Sequence, residues 1–176
     1  MTLNQLIKGC KKADRRCQRQ LYERLYDRAI NTSLRYARDK PEARDIVQNA
    51  FITLFSKIEK FDPSKGDFEG WFFRIIINEA LMLYRKRRSI HPASDQLHLL
   101  DDEIEPAILD HLHAQDILKL IRQLPDGYRL VFNLHIIEGY KHEEIAQRLG
   151  ISPSTSRSQL SRAKIMLKHL INKQNA

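Results

Sequence analysis

The stretch of sequence that decides the fold reads YKHEEIAQRLG at residues 140–150 and ISPSTSRS at residues 151–158. In the first half, Ile145, Ala146 and Leu149 recur at the spacing of one helical face. The small side chain of Ala146 allows a second helix to approach this face closely. The first half therefore predicts a short amphipathic helix that packs against a neighbour.

The join between the two halves has the residues of a tight turn followed by a new helix. Gly150 readily adopts the positive φ that often ends a helix. Ser152 is a favourable N-cap residue, and Pro153 suits the first helical position because the N–H it lacks would have no partner there. Together the halves predict a helix-turn-helix whose second helix begins at Pro153.

The charge around this motif favours a nucleic-acid partner. Glu144 is the last acidic residue of the chain. The basic residues that follow it are Arg148, Arg157, Arg162, Lys164, Lys168 and Lys173. Arginine pairs with guanine edges, serine and threonine bond to phosphates or bases, and lysine follows the phosphate backbone. The second helix is therefore interpreted as a DNA-recognition helix, and a purely structural helical hairpin is the alternative.

Charge along the 176 residues, which sums to +8, falls into three blocks. Residues 1–88 carry 20 Lys and Arg against 11 Asp and Glu, and residues 111–176 carry ten against five. Between them, residues 89–110 hold six acidic residues and no Lys or Arg. Two basic blocks around an acidic one predict two surfaces for a polyanion joined by a tether that DNA repels, and two solvated basic faces are the alternative from charge alone.

Hydrophobic periodicity predicts helices along the chain and no strands. Helical spacing covers residues 3–37 with a break near 11–14, then 42–58, 69–88, 111–124 and 128–137. Pro63 and Gly66 place a loop at 61–68. The prediction is an all-α fold of two small helical domains, residues 1–88 and 111–176, joined by an acidic linker at 89–110. The second domain is expected to have four helices that include the helix-turn-helix.

The cysteine content and the apolar runs exclude several classes of protein. Cys10 and Cys17 are too few for a disulfide framework or a four-ligand zinc site, and we interpret them as free buried thiols on one face of a helix. The N-terminus lacks the pattern of a secretory signal, and no apolar run reaches the length of a membrane span. A cytoplasmic protein that inserts no segment into a membrane and needs neither metal nor cofactor is predicted.

An ordered set of motifs resembles a known family. In the first block the motifs are ARDIVQNAF at 43–51, FDP at 61–63, FEGWFFRIIIN at 68–78 and the basic run at 85–88. In the second they are LP at 124–125, YRLVF at 128–132, EEIA at 143–146 and ISPSTSRS at 151–158. In this order they resemble the extracytoplasmic-function (ECF) sigma factors, small sigma subunits that direct bacterial RNA polymerase to promoters.

The resemblance implies a function and a set of partners. The first domain is similar to sigma region 2, which binds the polymerase and melts and reads the −10 element, and the second to region 4, which reads the −35 element as duplex. The implied partners are core RNA polymerase (its β′ clamp helices and β flap), promoter DNA and an anti-sigma factor. In this family an acidic linker threads toward the active-site and RNA-exit path of the polymerase.

Residues at the matching positions inherit expected roles from the resemblance. Polymerase binding is expected at Asp45, Gln48, Asn49 and Ile52. Binding of the −10 element is expected at Lys65, Phe68, Trp71, Arg74, Asn78, Arg85, Arg87 and Arg88. Burial in the core is the alternative for the aromatic residues of this segment. Binding of the −35 element is expected at Ser154, Thr155, Arg157, Ser158, Ser161, Arg162 and Lys164.

Three positions depart from the family pattern. Asn49 stands where many relatives have Glu, which removes an expected ion pair to polymerase. Ser156 stands where a helix-turn-helix usually buries Val or Ile, which predicts weaker packing beneath the recognition helix. Gln159 stands where many relatives have Arg, which predicts the loss of a cation that faces DNA.

Two other functions are alternatives to a sigma factor. A transcription regulator could use the same helix-turn-helix without polymerase, but it would leave the polar face of 42–58 and the aromatic segment 68–74 without a role. A DNA recombinase needs a catalytic domain, and no Ser, His or Tyr of the first block has a plausible base or oxyanion partner in the sequence. We therefore predict a protein that is not an enzyme.

Overall fold

The computed structural model describes residues 1–90 and 114–174, and this part of the chain is helical and contains no strand. The predicted all-α fold is thus confirmed. The chain divides into two compact units, Met1–Met82 and Leu83–Ala176. The predicted linker from residue 91 onward, and residues 111–113 of the helix that follows it, lie outside the described residues.

The helices agree closely with the sequence pattern. They are α1 (Leu3–Lys11), α2 (Arg15–Leu34), α3 (Lys40–Lys57), α4 (Phe68–Ile90), α5 (Ala114–Gln123), α6 (Asp126–Phe132), α7 (His142–Leu149) and α8 (Pro153–Gln174). Two short 3₁₀ turns, Ile58–Lys60 and Pro63–Lys65, separate α3 from α4. A single π turn, Asn133–Ile137, follows α6.

Side-chain caps fix where the helices of the first unit begin. The Thr2 Oγ1 accepts from the backbone N–H of Gln5 at 3.3 Å, and the Gln5 side chain accepts from the N–H of Thr2 at 2.8 Å. The Asp14 carboxylate caps α2, since it accepts from the N–H of Arg16 at 2.8 Å. In the same way Asp39 accepts from the first turn of α3. These bonds satisfy backbone donors that a helix leaves unpaired at its start.

The core of the first unit lies among α1, α2, α3 and α4. Its fully buried large side chains are Leu21, Leu25, Leu54, Phe72, Ile76 and Leu81. Helix α1 packs very closely on α2 at Gly9, because a Cβ added there would lie 2.2 Å from the Cys17 Sγ. A larger residue at position 9 would therefore force the two helices apart.

The two cysteines are free and buried, as predicted, but they do not share a helix. Cys10 lies in α1 and Cys17 in α2, so the prediction that both occupy one helical face is wrong. The reason is local: α1 ends at Lys11, Ala13 adopts a φ of 56°, and Asp14 starts a new helix. Burial raises the pKa of the Cys10 thiol to about 11, which keeps it protonated and unreactive near neutral pH.

The core of the second unit lies among α5, α6, α7 and α8. Leu120, Ile121, Leu130, Leu134, Ile145 and Leu149 are fully buried. Arg129 of α6 is buried with them, at 2% exposure. Its guanidinium donates to the Asp126 carboxylate at 2.7 Å and to the Leu124 carbonyl at 3.1 Å. Arg129 thus ties the turn between α5 and α6 to the core, a role that its place in a motif did not reveal.

Arg129→Ala is expected to lower the free energy of unfolding of the second unit by about 2 kcal/mol, because it empties a buried position and removes the donor to the Leu124 carbonyl, while the partly exposed Asp126 keeps Arg87 as a partner. Urea denaturation of the full chain, followed by circular dichroism, measures the loss. Arg157→Ala is the control, since Arg157 is exposed and should change the free energy by less than about 0.5 kcal/mol. Equal losses in the two variants would contradict the assigned role.

Candidate nucleic-acid interfaces

Helices α7 and α8 form the predicted helix-turn-helix. Gly150 ends α7 with φ 67° and ψ 42°, the left-handed conformation that glycine adopts without strain. The Ser152 Oγ then accepts from the N–H of Thr155 at 3.0 Å and caps α8, which begins at Pro153. Ile145, Ala146 and Leu149 are buried on the inner face of α7. The turn, the cap and the inner face are confirmed as the sequence predicted them.

The outer face of α8 carries a polar and basic surface. At 100° per residue, Ser154, Arg157, Ser158, Ser161 and Lys164 lie on one side of the helix. Ser154 and Arg157 are exposed, and the other three are partly exposed. Thr155 and Arg162, which complete the predicted set, are partly exposed and lie on one flank of this side. The structure thus brings the predicted −35 residues together at the N-terminal half of α8.

An acidic residue of α7 accompanies this surface. The Arg157 guanidinium lies 3.4 Å from the Glu143 carboxylate, and both side chains are well exposed. A backbone hydrogen bond and the neighbouring guanidinium lower the pKa of Glu143. Sequence reasoning did not assign Glu143 to the interface, because the proximity arises only when α7 crosses α8. Because both side chains are well exposed, this ion pair is weak and leaves Arg157 accessible.

Two of the departures from the family pattern point inward. Gln159 is 3% exposed and packs against Gly127, where an added Cβ would lie 3.0 Å from its Nε2. The expectation that Gln159 removes a DNA-facing cation is therefore wrong. Ser156 is fully buried, and its Oγ lies 2.9 Å from the His142 Nδ1. A hydrogen bond thus lies beneath α8 at the position where a helix-turn-helix usually buries Val or Ile.

His142 belongs to a stacked pair of histidines. Its ring lies 4.4 Å from that of His135, with 15° between the planes. The His135 Nδ1 bonds to the Tyr140 carbonyl at 2.9 Å and must be the donor, because a carbonyl only accepts. Burial, then the nearby His135, and more weakly Arg157 and Lys164, lower the pKa of His142, while Glu143 opposes the shift. The folded protein therefore favours the neutral His142.

The free energy of unfolding of the second unit is expected to fall as the pH drops below ~6.5, the ordinary pKa of an unfolded histidine. In that window the unfolded chain binds a proton that folded His142 does not, so acid favours unfolding. Urea midpoints measured across this range check the trend. His142→Gln should flatten it, whereas His169→Gln, at an exposed position, should leave it unchanged. A trend that survives in the His142 variant would refute the assignment.

The first unit contains a cavity at the start of α4, with a volume of about 250 Å³. Its lining residues are Lys60, Phe61, Asp62, Lys65, Gly66, Asp67, Gly70, Trp71 and Arg74. The rings of Phe61 and Trp71 lie 5.4 Å apart and form an aromatic wall. The aromatic wall suits a flat ligand and the three cations of the lining suit a negative charge close by, whereas the two carboxylates disfavour one.

Hydrogen bonds within the loop shape this cavity. The Asp62 carboxylate accepts from the Ser64 hydroxyl at 2.7 Å and from its N–H at 2.9 Å, which lowers the pKa of Asp62. The Asp67 carboxylate accepts from the N–H of Gly70 at 2.8 Å and caps α4. Lys11, at the end of α1, donates from its Nζ to the Phe61 carbonyl at 3.2 Å. Local bonds and one bond from a distant helix therefore hold the loop.

The predicted −10 residues fall into three groups: three that line the cavity, three farther along α4, and two that lie elsewhere. Lys65, Trp71 and Arg74 line the cavity. Asn78, Arg85 and Arg88 lie farther along α4 on the same side as Arg74, by the helical period.

Phe68 and Arg87 do not belong to this surface. Phe68 is 4% exposed and packs edge-on against Phe61 at 5.1 Å, so it supports the cavity wall and offers no face to a base. Arg87 lies on another side of α4 and, within the second unit, pairs with Asp126 at 3.0 Å. The prediction that Phe68 and Arg87 contact the −10 element is therefore wrong.

Helix α3 carries the predicted polymerase-binding residues on its outer face. Asp45, Gln48 and Asn49 are exposed, and Ile52 is 61% exposed. The opposite face buries Ile46, Val47, Ala50, Phe51 and Leu54. Thr53, beside Ile52, donates to the Glu79 carboxylate at 2.8 Å and so joins α3 to α4. A single exposed isoleucine among polar residues is ordinary at a protein surface, so the prediction for this face rests on its place in the family pattern.

Two family models match the chain. They are Sigma-70 region 2, over residues 21–90, and Sigma-70 region 4, over residues 114–167. The ECF RNA polymerase sigma factor SigE of Mycolicibacterium smegmatis is 29% identical over 155 residues, which make up 85% of this chain and 60% of that protein. The chain belongs to the extracytoplasmic-function sigma factors. It is thus an alternative sigma subunit of RNA polymerase, and sigma factors are non-catalytic initiation factors.

Other sigma factors align with nearly the whole chain. The sigma-H factor of Pseudomonas aeruginosa is 29% identical over 91% of this chain and 89% of its own length. The sigma-E factor of Haemophilus influenzae is 25% identical over 97% of this chain and 96% of its own. Among solved structures, the sigma factor RpoE of Bartonella quintana, in complex with the anti-sigma factor NepR, aligns with a TM-score of 0.51 and 25% identity. That alignment covers 88% of this chain and 96% of RpoE.

The described residues contain neither a membrane-spanning helix nor a candidate metal cluster. None of the described helices is long and apolar enough to cross a membrane. The same residues contain no group of three or more His, Cys, Asp or Glu side chains placed to hold a metal ion.

Proposed function

We propose that this sigma factor divides promoter recognition between its two domains. Residues 1–88 bind the polymerase through α3 and hold the melted −10 element at the cavity, residues 111–176 read the −35 element as duplex, and residues 89–110 link the two in sequence. The observation that supports this division best is the cavity walled by Phe61 and Trp71, because duplex readers have no use for a pocket that fits an unstacked base.

The cavity and the outer side of α4 would act together on the single strand. A flipped base stacks on the wall formed by Phe61 and Trp71, and the nearby Lys65 and Arg74 attract the flanking phosphates. The same side of α4 continues to Asn78, Arg85 and Arg88, which would guide the strand beyond the pocket. Phe68 and Arg87 are left out of this set because of their positions in the structure.

Trp71→Ala is expected to reduce open-complex formation about tenfold, since stacking of one base on an aromatic ring contributes roughly 1–3 kcal/mol. Permanganate reactivity of the −10 thymines in the holoenzyme complex measures this. Trp71→Phe, which keeps a platform, should restore most of the activity. The −10 assignment fails if the alanine variant opens the promoter as fast as the wild type.

The partners follow from the family and from two exposed surfaces. We propose that the outer face of α3 binds the β′ clamp helices, and that two exposed isoleucines of the second unit, Ile136 and Ile137, offer an apolar contact to the β flap. Regulation by an anti-sigma factor is proposed because the Bartonella quintana relative was solved with one. We propose a cytoplasmic location, where RNA polymerase works.

Co-migration with core polymerase tests the proposal as a whole. The full chain is mixed with core enzyme, run on gel filtration, and then used for run-off transcription on a library of genomic fragments. We expect a stable complex, and transcripts whose start sites share a −35 and a −10 sequence. A chain that binds DNA but not polymerase would instead be a helix-turn-helix regulator.

A further inference from the structure

Helix α1 lies outside the region 2 match, which starts at residue 21, yet it contacts the loop that forms the cavity. The contact is the bond from the Lys11 Nζ to the Phe61 carbonyl, 50 residues apart in sequence and partly buried. We propose that α1 is a brace for the promoter-reading loop and that Lys11 is its positioning residue. The inference rests on the −10 role proposed for the cavity.

Helix α1 is itself held firmly enough to act as a brace. The Thr2 and Gln5 capping box fixes its start, and Leu6, Ile7 and Cys10 are buried beneath it. Near its end, Gly9 brings the backbone of α1 against the Cys17 side chain of α2. The last turn of α1 therefore has a fixed position, which limits where the Lys11 ammonium can reach.

The loop has few long-range supports of its own. Residues 63–67 are exposed, and the Asp62 and Ser64 bonds are local to the loop. The Phe61 ring forms the aromatic wall together with Trp71, while the Phe61 carbonyl accepts the bond from Lys11. The ammonium thus fixes the backbone from which the aromatic wall projects.

Bracing matters because an ordered pocket captures a base with a smaller entropy loss than a mobile one. Without the bond, the Phe61 backbone rotates more freely and the wall must become ordered during melting. Loss of the bond from Lys11 to the Phe61 carbonyl therefore slows promoter opening and leaves duplex recognition by α8 unchanged.

The chain contains a built-in probe of this loop, because Trp71 is its only tryptophan and lines the cavity. In the free full-length protein, Lys11→Met is expected to increase acrylamide quenching of Trp71 and to shift its emission. Lys11→Arg should behave as wild type, since a guanidinium can also reach the carbonyl. Lys8→Met is the matched control, an exposed lysine one turn earlier on α1. The thermal unfolding midpoint of each variant shows whether a change in quenching comes from local loosening of the loop or from unfolding. Lys11→Gln serves as a second substitution for the same purpose.

The holoenzyme supplies the functional readout. Lys11→Met is expected to slow open-complex formation about fivefold on duplex promoter, the size of one net hydrogen bond. On a template unpaired across the −10 element the defect should shrink, and Lys11→Arg should remove it. If acrylamide quenches Trp71 equally in Lys11→Met and wild type, Lys11 does not brace the loop. The brace also fails if Lys11→Met alters the quenching but opens the promoter normally, while Trp71→Ala opens it slowly. Normal opening by Trp71→Ala itself overturns the −10 role of the cavity, so the two failures are distinct.

Discussion

Ile52→Asp is expected to abolish stable binding of this sigma factor to core RNA polymerase. The Ile52 side chain is 61% exposed on the outer face of α3, so the substitution removes no core packing and the free chain stays folded. In the complex an unpaired carboxylate would have to leave water at the centre of the interface, which costs several kcal/mol and weakens binding by about 100-fold or more.

Gel filtration and titration of labelled sigma factor with core enzyme measure this effect. Met82→Asp is the matched control, because Met82 is also an exposed apolar residue but lies on α4, away from the outer face of α3. We expect Met82→Asp to bind within about threefold of wild type, as surface substitutions outside an interface commonly do. If Ile52→Asp and wild type bind equally well, the polymerase contact does not involve the outer face of α3.

The parts of this molecule that could be predicted from the sequence are those set by neighbours in the chain. Gly150 and Ser152 act through the backbone within a few residues, so the turn and cap of the helix-turn-helix were predictable from residue type alone. The same holds for the break before Asp14, whose carboxylate caps the next helix.

The parts that could not be predicted depend on where separate helices meet. Phe68 belongs to an aromatic run in which every ring could face a base, and only the packing of the loop shows that it lies beneath Phe61. Gln159 points at Gly127, a neighbour 32 positions earlier in the chain. The Lys11 bond spans 50 residues and has no sequence signal, because one lysine in a basic segment resembles the next.

Arg157→Ala is expected to weaken holoenzyme binding to its own promoter by about 10- to 100-fold, the range for loss of one bidentate contact to a base edge. Arg157 lies on the exposed side of α8 near the helix N-terminus, where a recognition helix meets bases, with the Glu143 carboxylate 3.4 Å away. Binding to a promoter with a substituted −35 element should change little, so specificity falls together with affinity.

Lys164→Ala separates base reading from phosphate attraction. Lys164 lies two turns farther along the same side of α8, where a lysine meets the DNA backbone. Its loss should weaken all promoter sequences alike and lower the salt slope of binding by about 1. Affinities measured at several salt concentrations on matched and substituted −35 elements give both quantities. A uniform loss in Arg157→Ala, with specificity intact, would show that Arg157 contacts phosphate and that another residue of α8 reads the base.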